Sequence, residues 1–112
     1  MNPIYFSIVI PVFNRPDEID RLLRSLTFQD DENPFEVVVV EDGSTNDAKQ
    51  ICEGYSNQLE INYYFKPNSG PGDSRNYGMT KAKGSYFLIL DSDCVLPSHY
   101  LSTVREALST SY

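Results

Sequence analysis

Residues 36–44 read Glu-Val-Val-Val-Val-Glu-Asp-Gly-Ser. Four β-branched residues in succession, Val37 to Val40, show no alternation of apolar and polar positions. Such a run suits a parallel strand covered on both faces better than an antiparallel strand with one wet face. It stops at Glu41 and Asp42, and Gly43 and Ser44 follow as turn residues. A rigid, buried strand therefore delivers carboxylates to one edge of a sheet.

Three more runs flank this one. Ile4 to Val12, Ile61 to Phe65 and Tyr86 to Leu90 are rich in β-branched and aromatic residues and read as strands, with the second strand spanning Glu36 to Val40. Between the first two strands, Ile19, Leu22, Leu23 and Leu26 recur at i, i+3, i+4, i+7, behind Pro16 as a first-turn residue and Asp17 and Glu18 at the positive helix end. Ala48, Ile51, Cys52 and Tyr55 repeat that spacing, with Ser44 and Asp47 placed as a capping box. A third helix is expected from about Asp73 to Lys83, stopped by Gly84, and a fourth from about Ser98 through Leu108. Four strand–helix units with right-handed crossovers make a parallel α/β sheet with helices on both faces. In such sheets ligands bind beyond the carboxyl ends of the strands, near the point where strand order reverses.

Composition sets the outer bounds. Of 112 residues, 40% are hydrophobic and 22% charged, which is ordinary globular usage and enough for one core. No apolar run reaches the roughly 20 residues of a membrane span and no signal-peptide pattern opens the chain, so the expectation is a cytoplasmic protein, membrane-associated only through a longer chain. A formal net charge of -7 opposes binding to nucleic acid or to an anionic membrane surface. Cys52 and Cys94 have neither paired spacing nor a histidine partner, which points to free thiols, Cys52 as a small core residue. His99, the one histidine, has no acidic or thiol partner nearby in sequence and takes no role.

The unusual residues fall just after the strands: Pro11 to Pro16 after the first, Glu41 to Asp47 after the second, and Asp91-Ser92-Asp93 after the fourth. Asp91 and Asp93 are hard oxygen donors, spaced to aim at one ligand and suited to Mg2+ or Mn2+ bound together with phosphate oxygens. The Asp42 carboxylate can accept a hydrogen bond from a base N–H. In Ser69-Gly70-Pro71-Gly72-Asp73-Ser74-Arg75-Asn76, glycines permit close backbone approach beside one cation, and Arg75 could meet a base carbonyl or a phosphate oxygen. Asn14 could instead cap the first helix, and Ser44 and Asp47 are read first as capping groups of the second.

The segments IVIPVFNRPDEIDRLLRSL (8–26), VVVVEDGSTNDA (37–48), GPGDSRNYGMTKAKG (70–84) and FLILDSDC (87–94) together resemble the N-terminal half of family 2 glycosyltransferases. The match covers nearly the whole chain, with four pieces in the right order on the right loops. The resemblance implies a GT-A, Rossmann-like nucleotide-binding fold, here truncated to four strand–helix units, with residues 1–112 as the nucleotide-sugar-binding part and the acceptor-binding half absent. It implies transfer from a nucleotide-diphosphate sugar, a UDP-sugar first, to the hydroxyl of a sugar or lipid-linked acceptor, with inversion and with a divalent metal, Mn2+ or Mg2+. By the same resemblance Pro11, Val12 and Asn14 line the nucleoside pocket, Asp42 meets N3 of a uracil-type ring with Glu41 and Ser44 nearby, Arg75 faces the nucleotide, Asp91 lies near the ribose and Asp93 ligates the metal. The general base is expected beyond Tyr112. Cys94 departs from the polar residue common at its place. A chain of this extent is expected to bind a nucleotide diphosphate weakly, transfer no sugar and self-associate through the uncovered sheet edge.

Other classes fit less well. A phosphoacceptor signalling domain wants acids after the first strand and an Asp after the third, where this chain has Pro11 to Asn14 and Lys66-Pro67. A dinucleotide oxidoreductase wants GxGxxG after the first strand, which is absent. A sugar nucleotidyltransferase wants a glycine-rich, basic loop there, and Arg15 alone supplies charge. A catalytically inert nucleotide-binding module derived from the transferase is the alternative that the residues leave open.

Overall fold

The computed structural model describes residues 5–110. Four strands and four helices alternate: β1 (Phe6–Val12), α1 (Pro16–Thr27), β2 (Phe35–Asp42), α2 (Lys49–Gly54), β3 (Glu60–Lys66), α3 (Pro71–Lys81), β4 (Tyr86–Ile89) and α4 (Tyr100–Thr110). The strands form one parallel sheet in the order β3-β2-β1-β4. The chain moves outward from β1 through β2 to β3 and then crosses back to place β4 on the other side of β1. Strand order therefore reverses between β1 and β4, and the ligand edge is expected at their carboxyl ends. Ile4, expected to open the first strand, lies outside the described residues.

Strand periodicity sorts the side chains onto two faces. Phe6, Ile8, Ile10 and Val12 of β1, with Val37 and Val39 of β2, pack against Ile19, Leu22, Leu23 and Leu26 of α1, Cys52 of α2 and Leu101 of α4. Val9, Val38 and Val40 face the other way, toward Tyr64 of β3 and Tyr77 of α3. All four valines of β2 are completely buried, as their succession predicts.

The α3 face is tightly packed because the helix brings small residues to it. Ser74 and Gly78 are its buried positions, and a Cβ on Gly78 would lie 2.4 Å from Val9 Cγ1 and 3.1 Å from Val40 Cγ2. Gly78→Ala is expected to push α3 off the sheet and cost about 1–3 kcal/mol, the usual range for overpacking. Urea denaturation checks this, and an unchanged midpoint would refute it.

Both ends of α3 differ from the expected ones, and α4 begins at Tyr100 rather than at about Ser98. α3 begins at Pro71 rather than Asp73, because Gly70 at φ 101° turns the chain and Pro71 supplies a preset first helical residue. It ends at Lys81 rather than Lys83. There the Lys83 N–H donates to Glu36 Oε2 at 2.7 Å and the Gly84 N–H to Ser7 Oγ at 2.7 Å, which draws the backbone out of the helix. α2 is short, Lys49–Gly54, and Ser44 does not cap it. The Asp47 carboxylate does accept the Lys49 N–H at 3.1 Å.

α4 is held from α1 and the loop beyond it. Gln29 Oε1 accepts the Leu101 N–H at 3.0 Å, and Asp31 Oδ2 accepts from Arg105 Nε at 2.7 Å. Burial pushes the Asp31 carboxyl up, but Arg105 and Asn33 more than offset it and hold it below the usual carboxylate range. β4 is an edge strand of four residues, with Tyr86, Phe87 and Ile89 each exposed by more than a third.

Candidate functional site

A cavity of about 400 Å³ opens at the carboxyl edge of the sheet. Pro11, Val12 and Phe13 form one wall, Asp42 ends β2 within it, Asn68, Gly70, Pro71 and Ser74 come from the β3–α3 passage, and Asp91 and Ser92 close it after β4. Pro11, Val12, Asp42 and Asp91, singled out by the sequence, are thus brought together. Asn14, Glu41, Arg75 and Asp93 do not line it.

Asp42 is 4% exposed and its carboxylate is held on several sides. Oδ1 accepts from Lys66 Nζ at 2.7 Å and the Ser69 N–H at 2.8 Å, and Oδ2 from the Gly70 N–H at 3.0 Å. Asn68 Nδ2 donates to the Asp42 carbonyl oxygen at 2.9 Å and more distantly, at 3.4 Å, to Oδ2. Burial pushes the Asp42 carboxyl up, yet Lys66 and the two backbone amides outweigh it and hold the group below the usual carboxylate range. Asp42 is therefore an anion at neutral pH, able only to accept. Lys66 lies directly across the ladder from Asp42 in the β2–β3 register. Sequence reasoning passed over it because the pairing depends on a register between strands about twenty residues apart.

Glu41, expected beside Asp42 at the nucleotide, points to the opposite face, one residue out of phase, and does not line the cavity. It is completely buried. Ser44 Oγ donates to its Oε2, while the Ala48 N–H at 2.9 Å and Tyr63 Oη at 2.8 Å donate to Oε1. Burial and this carboxylate together push the Tyr63 phenol well above its ordinary range. Burial, with the charges of Glu41, Glu53 and Asp47, likewise pushes the Cys52 thiol up to about 12, consistent with an inert core residue. Both cysteines are free.

Ser44, read first as a helix cap, is the joint between two loops. Besides donating to Glu41 it accepts the Asn14 N–H at 2.8 Å. Asn14, at φ 53°, caps no helix: its Oδ1 accepts the Thr45 and Asn46 N–H groups, both at 2.9 Å. An asparagine tolerates this left-handed backbone better than most residues. Its side chain ties the β1–α1 loop to the β2–α2 loop and so shapes the cavity from behind. Gly43, at φ 72°, has the same logic from the front, since a Cβ there would sit 2.5 Å from the Asn68 nitrogen.

The Asp91–Asp93 turn is anchored at its middle. Ser92 Oγ donates to Glu18 Oε1 at 2.7 Å, and the Cys94 N–H donates to the Asp91 carbonyl at 3.1 Å. Asp91 and Asp93 are both exposed, and neither forms an ion pair among the described residues. No group of three or more His, Cys, Asp and Glu residues able to hold a metal occurs among the described residues. Two free, hard carboxylates still fit Mg2+ or Mn2+, which take one or two protein carboxylates and complete their shell with phosphate and water. Arg75 is partly exposed one turn into α3, with Nη2 3.9 Å from where a Gly72 Cβ would stand, and pairs with no carboxylate among the described residues.

A doubly wound parallel sheet of four strands, with the Asp42 carboxylate and an exposed acidic pair at its carboxyl edge, defines an α/β protein of the GT-A, Rossmann-like kind. The chain belongs to glycosyl transferase family 2, whose family model matches residues 7–111. An uncharacterized glycosyltransferase of Rickettsia bellii is 40% identical over 87 residues, 78% of this chain and 12% of that protein. The poly(ribitol-phosphate) beta-N-acetylglucosaminyltransferase TarS of Staphylococcus aureus is 43% identical over 91 residues, 79% of this chain and 16% of TarS. The crystal structure of TarS 1-349 in complex with UDP-GlcNAc matches with a TM-score of 0.88 at 37% identity, covering 95% of this chain and 31% of that one. The mannosyltransferase PcManGT from Pyrobaculum calidifontis, in complex with GDP-Man and Mn2+, shares the fold with a TM-score of 0.80 at 23% identity, over 96% of this chain and 32% of that one. The chain thus spans a third or less of these relatives.

Proposed function

We propose that residues 1–112 form the nucleotide-sugar-binding part of a glycosyltransferase that moves a sugar from a UDP-sugar to an acceptor hydroxyl with inversion. The observation that carries this is Asp42, an ionised carboxylate set in the wall of the carboxyl-edge cavity beside Pro11, Val12 and Asp91. An obligate acceptor there suits the N3–H of uracil, with Pro11 and Val12 as the wall against the nucleoside and Asp91 at the rim for ribose hydroxyls. Arg75, one turn into α3, can swing its planar donors onto a phosphate or base oxygen.

Asp93 is assigned to a divalent metal, Mn2+ or Mg2+, shared with the donor diphosphate. When bound, such an ion neutralises the charge that builds on the departing nucleoside diphosphate. Asn14, Ser44 and Glu41 hold the loops that frame the nucleoside, so their contribution is positioning. The acceptor site, for a sugar or lipid-linked hydroxyl, and the general base that takes its proton are assigned to parts of the longer relatives that this chain does not span. The exposed apolar edge of β4 supports pairing there with a further strand, from a second copy or from a longer chain. A second reading, an inert nucleotide-binding module derived from the transferase, is separated from the first by turnover of a labelled donor.

Calorimetry with UDP, GDP and dTDP, with and without Mn2+, tests the assignment. UDP is expected to bind best. Asp42→Asn, which keeps size but turns part of the acceptor into a donor, is expected to cost roughly 1–3 kcal/mol of UDP binding. If it binds UDP as the parent does, Asp42 is not the base-recognising group.

A further inference from the structure

Ser74 sits on α3, completely buried, and lines the cavity, yet its Oγ has no hydrogen-bond partner among the described residues. Other helical hydroxyls of this chain take the usual outlet and bond a carbonyl three or four residues back: Ser25 to Leu22, Thr27 to Arg24, Thr80 to Tyr77, Ser102 to His99 and Ser109 to Arg105. The Gly70 carbonyl accepts the Ser74 backbone N–H at 3.1 Å but no bond from its hydroxyl. A buried hydroxyl left unpaired is destabilising, so an unspent one at a cavity wall points to a ligand atom.

Its neighbour in that wall says which atom. The Gly70 N–H donates to Asp42 Oδ2 at 3.0 Å and the Gly70 carbonyl accepts the Ser74 backbone N–H, so one residue ties the Asp42 side chain to the main chain of Ser74, and both residues line the same cavity. Asp42, ionised, can only accept, whereas a serine hydroxyl can turn to donate. Together they match a base edge carrying a ring N–H beside a carbonyl oxygen, the imide edge of a uracil-type ring. They mismatch cytosine, whose corresponding ring nitrogen is an acceptor and would face the Asp42 anion.

We propose that Ser74 is a base-reading residue, its Oγ–H donating to the carbonyl oxygen next to the ring N–H that Asp42 accepts. This rests on the proposed nucleotide-sugar reading of the cavity. It adds a specificity determinant on the helix side of the pocket, distinct from Asp42 on the strand side.

The test is calorimetry on the 112-residue chain in Mn2+, with UDP, CDP, 2-thio-UDP and 4-thio-UDP as probes. Ser74→Ala is expected to weaken UDP binding roughly 3- to 10-fold, to leave the weaker CDP binding unchanged, and to melt no lower than the parent, since it removes an unpaired group. Ser74→Cys, close in size with a poor donor, is expected to fall between. One of the two thio analogues, the one whose sulfur replaces the recognised oxygen, is expected to bind the parent less well than UDP but to bind Ser74→Ala no worse than UDP. Equal UDP affinity for parent, Ala and Cys forms would overturn the role of Ser74 while leaving the cavity assignment intact. Equal weakening of UDP and CDP by Ser74→Ala would overturn base reading. No UDP binding by the parent would remove the cavity assignment and this inference with it.

Discussion

Lys66→Met is expected to cost about 3–5 kcal/mol of folding stability, the usual loss when one partner of a buried ion pair is removed and the other stays. Lys66 Nζ donates to Asp42 Oδ1 at 2.7 Å and to the Pro67 carbonyl at 3.1 Å, and also meets Ser69 Oγ. The side chains of Lys66 and Asp42 are only 10% and 6% exposed, so water screens the pair little. A domain of this size has about 5–15 kcal/mol in total, so this one change removes a large part of it. Urea denaturation at neutral pH measures the loss, and a value under about 1 kcal/mol would show that the pair behaves as a surface bridge.

The pH dependence has a definite sign. The Asp42 carboxyl is depressed in the folded chain by Lys66 and the two amides acting against burial. Its contribution to stability is therefore present above the unfolded value, about 3.9, and is lost as pH falls through the lower folded value. In Lys66→Met burial is less opposed, so the acid loss of stability is expected to begin at higher pH than in the parent. Stability measured from pH 7 down to pH 3 in both forms checks the order of the two limbs.

Asp93→Ala is expected to abolish the tightening of UDP binding by Mn2+, a loss of about 100-fold or more in metal affinity, since removing a ligand exceeds the 10- to 100-fold typical of outer partners. The fold is expected to survive, because Asp93 is exposed and the turn is held by Ser92 on Glu18 and by Cys94 on the Asp91 carbonyl. UDP titrations at several Mn2+ concentrations, with circular dichroism on the same samples, separate metal binding from stability. An unchanged Mn2+ dependence in the variant would remove the metal from Asp93.

Strands and helices were legible wherever local chemistry decides them. The valine run of β2, the i, i+3, i+4, i+7 stripe of α1 and Pro16 at its start each carry their own periodicity or preset dihedral, and the structure follows them. Legibility failed where a side chain had two outlets. Ser44 and Asn14 both have the chemistry of helix caps, but the buried Glu41 carboxylate and the β2–α2 loop amides compete for them and win. α3 ends early for the same reason, because Glu36 and Ser7, distant in sequence, capture the Lys83 and Gly84 amides.

The amino-acid sequence by itself determined the parallel α/β class and put Asp42 and Asp91 at the carboxyl ends of strands, where both line the cavity. These follow from patterns within a few residues of one another: burial on both faces, turn residues after strands, and acids at strand ends. The tertiary structure alone decided that Glu41 turns away while Asp42 turns in. It also paired Lys66 with Asp42 and left the buried Ser74 hydroxyl, on a residue of the cavity wall, without a partner among the described residues. Adjacent strand residues point to opposite faces, and what meets each face depends on register and on which helix lies over it. Those are contacts between segments tens of residues apart, for which local spacing carries no signal.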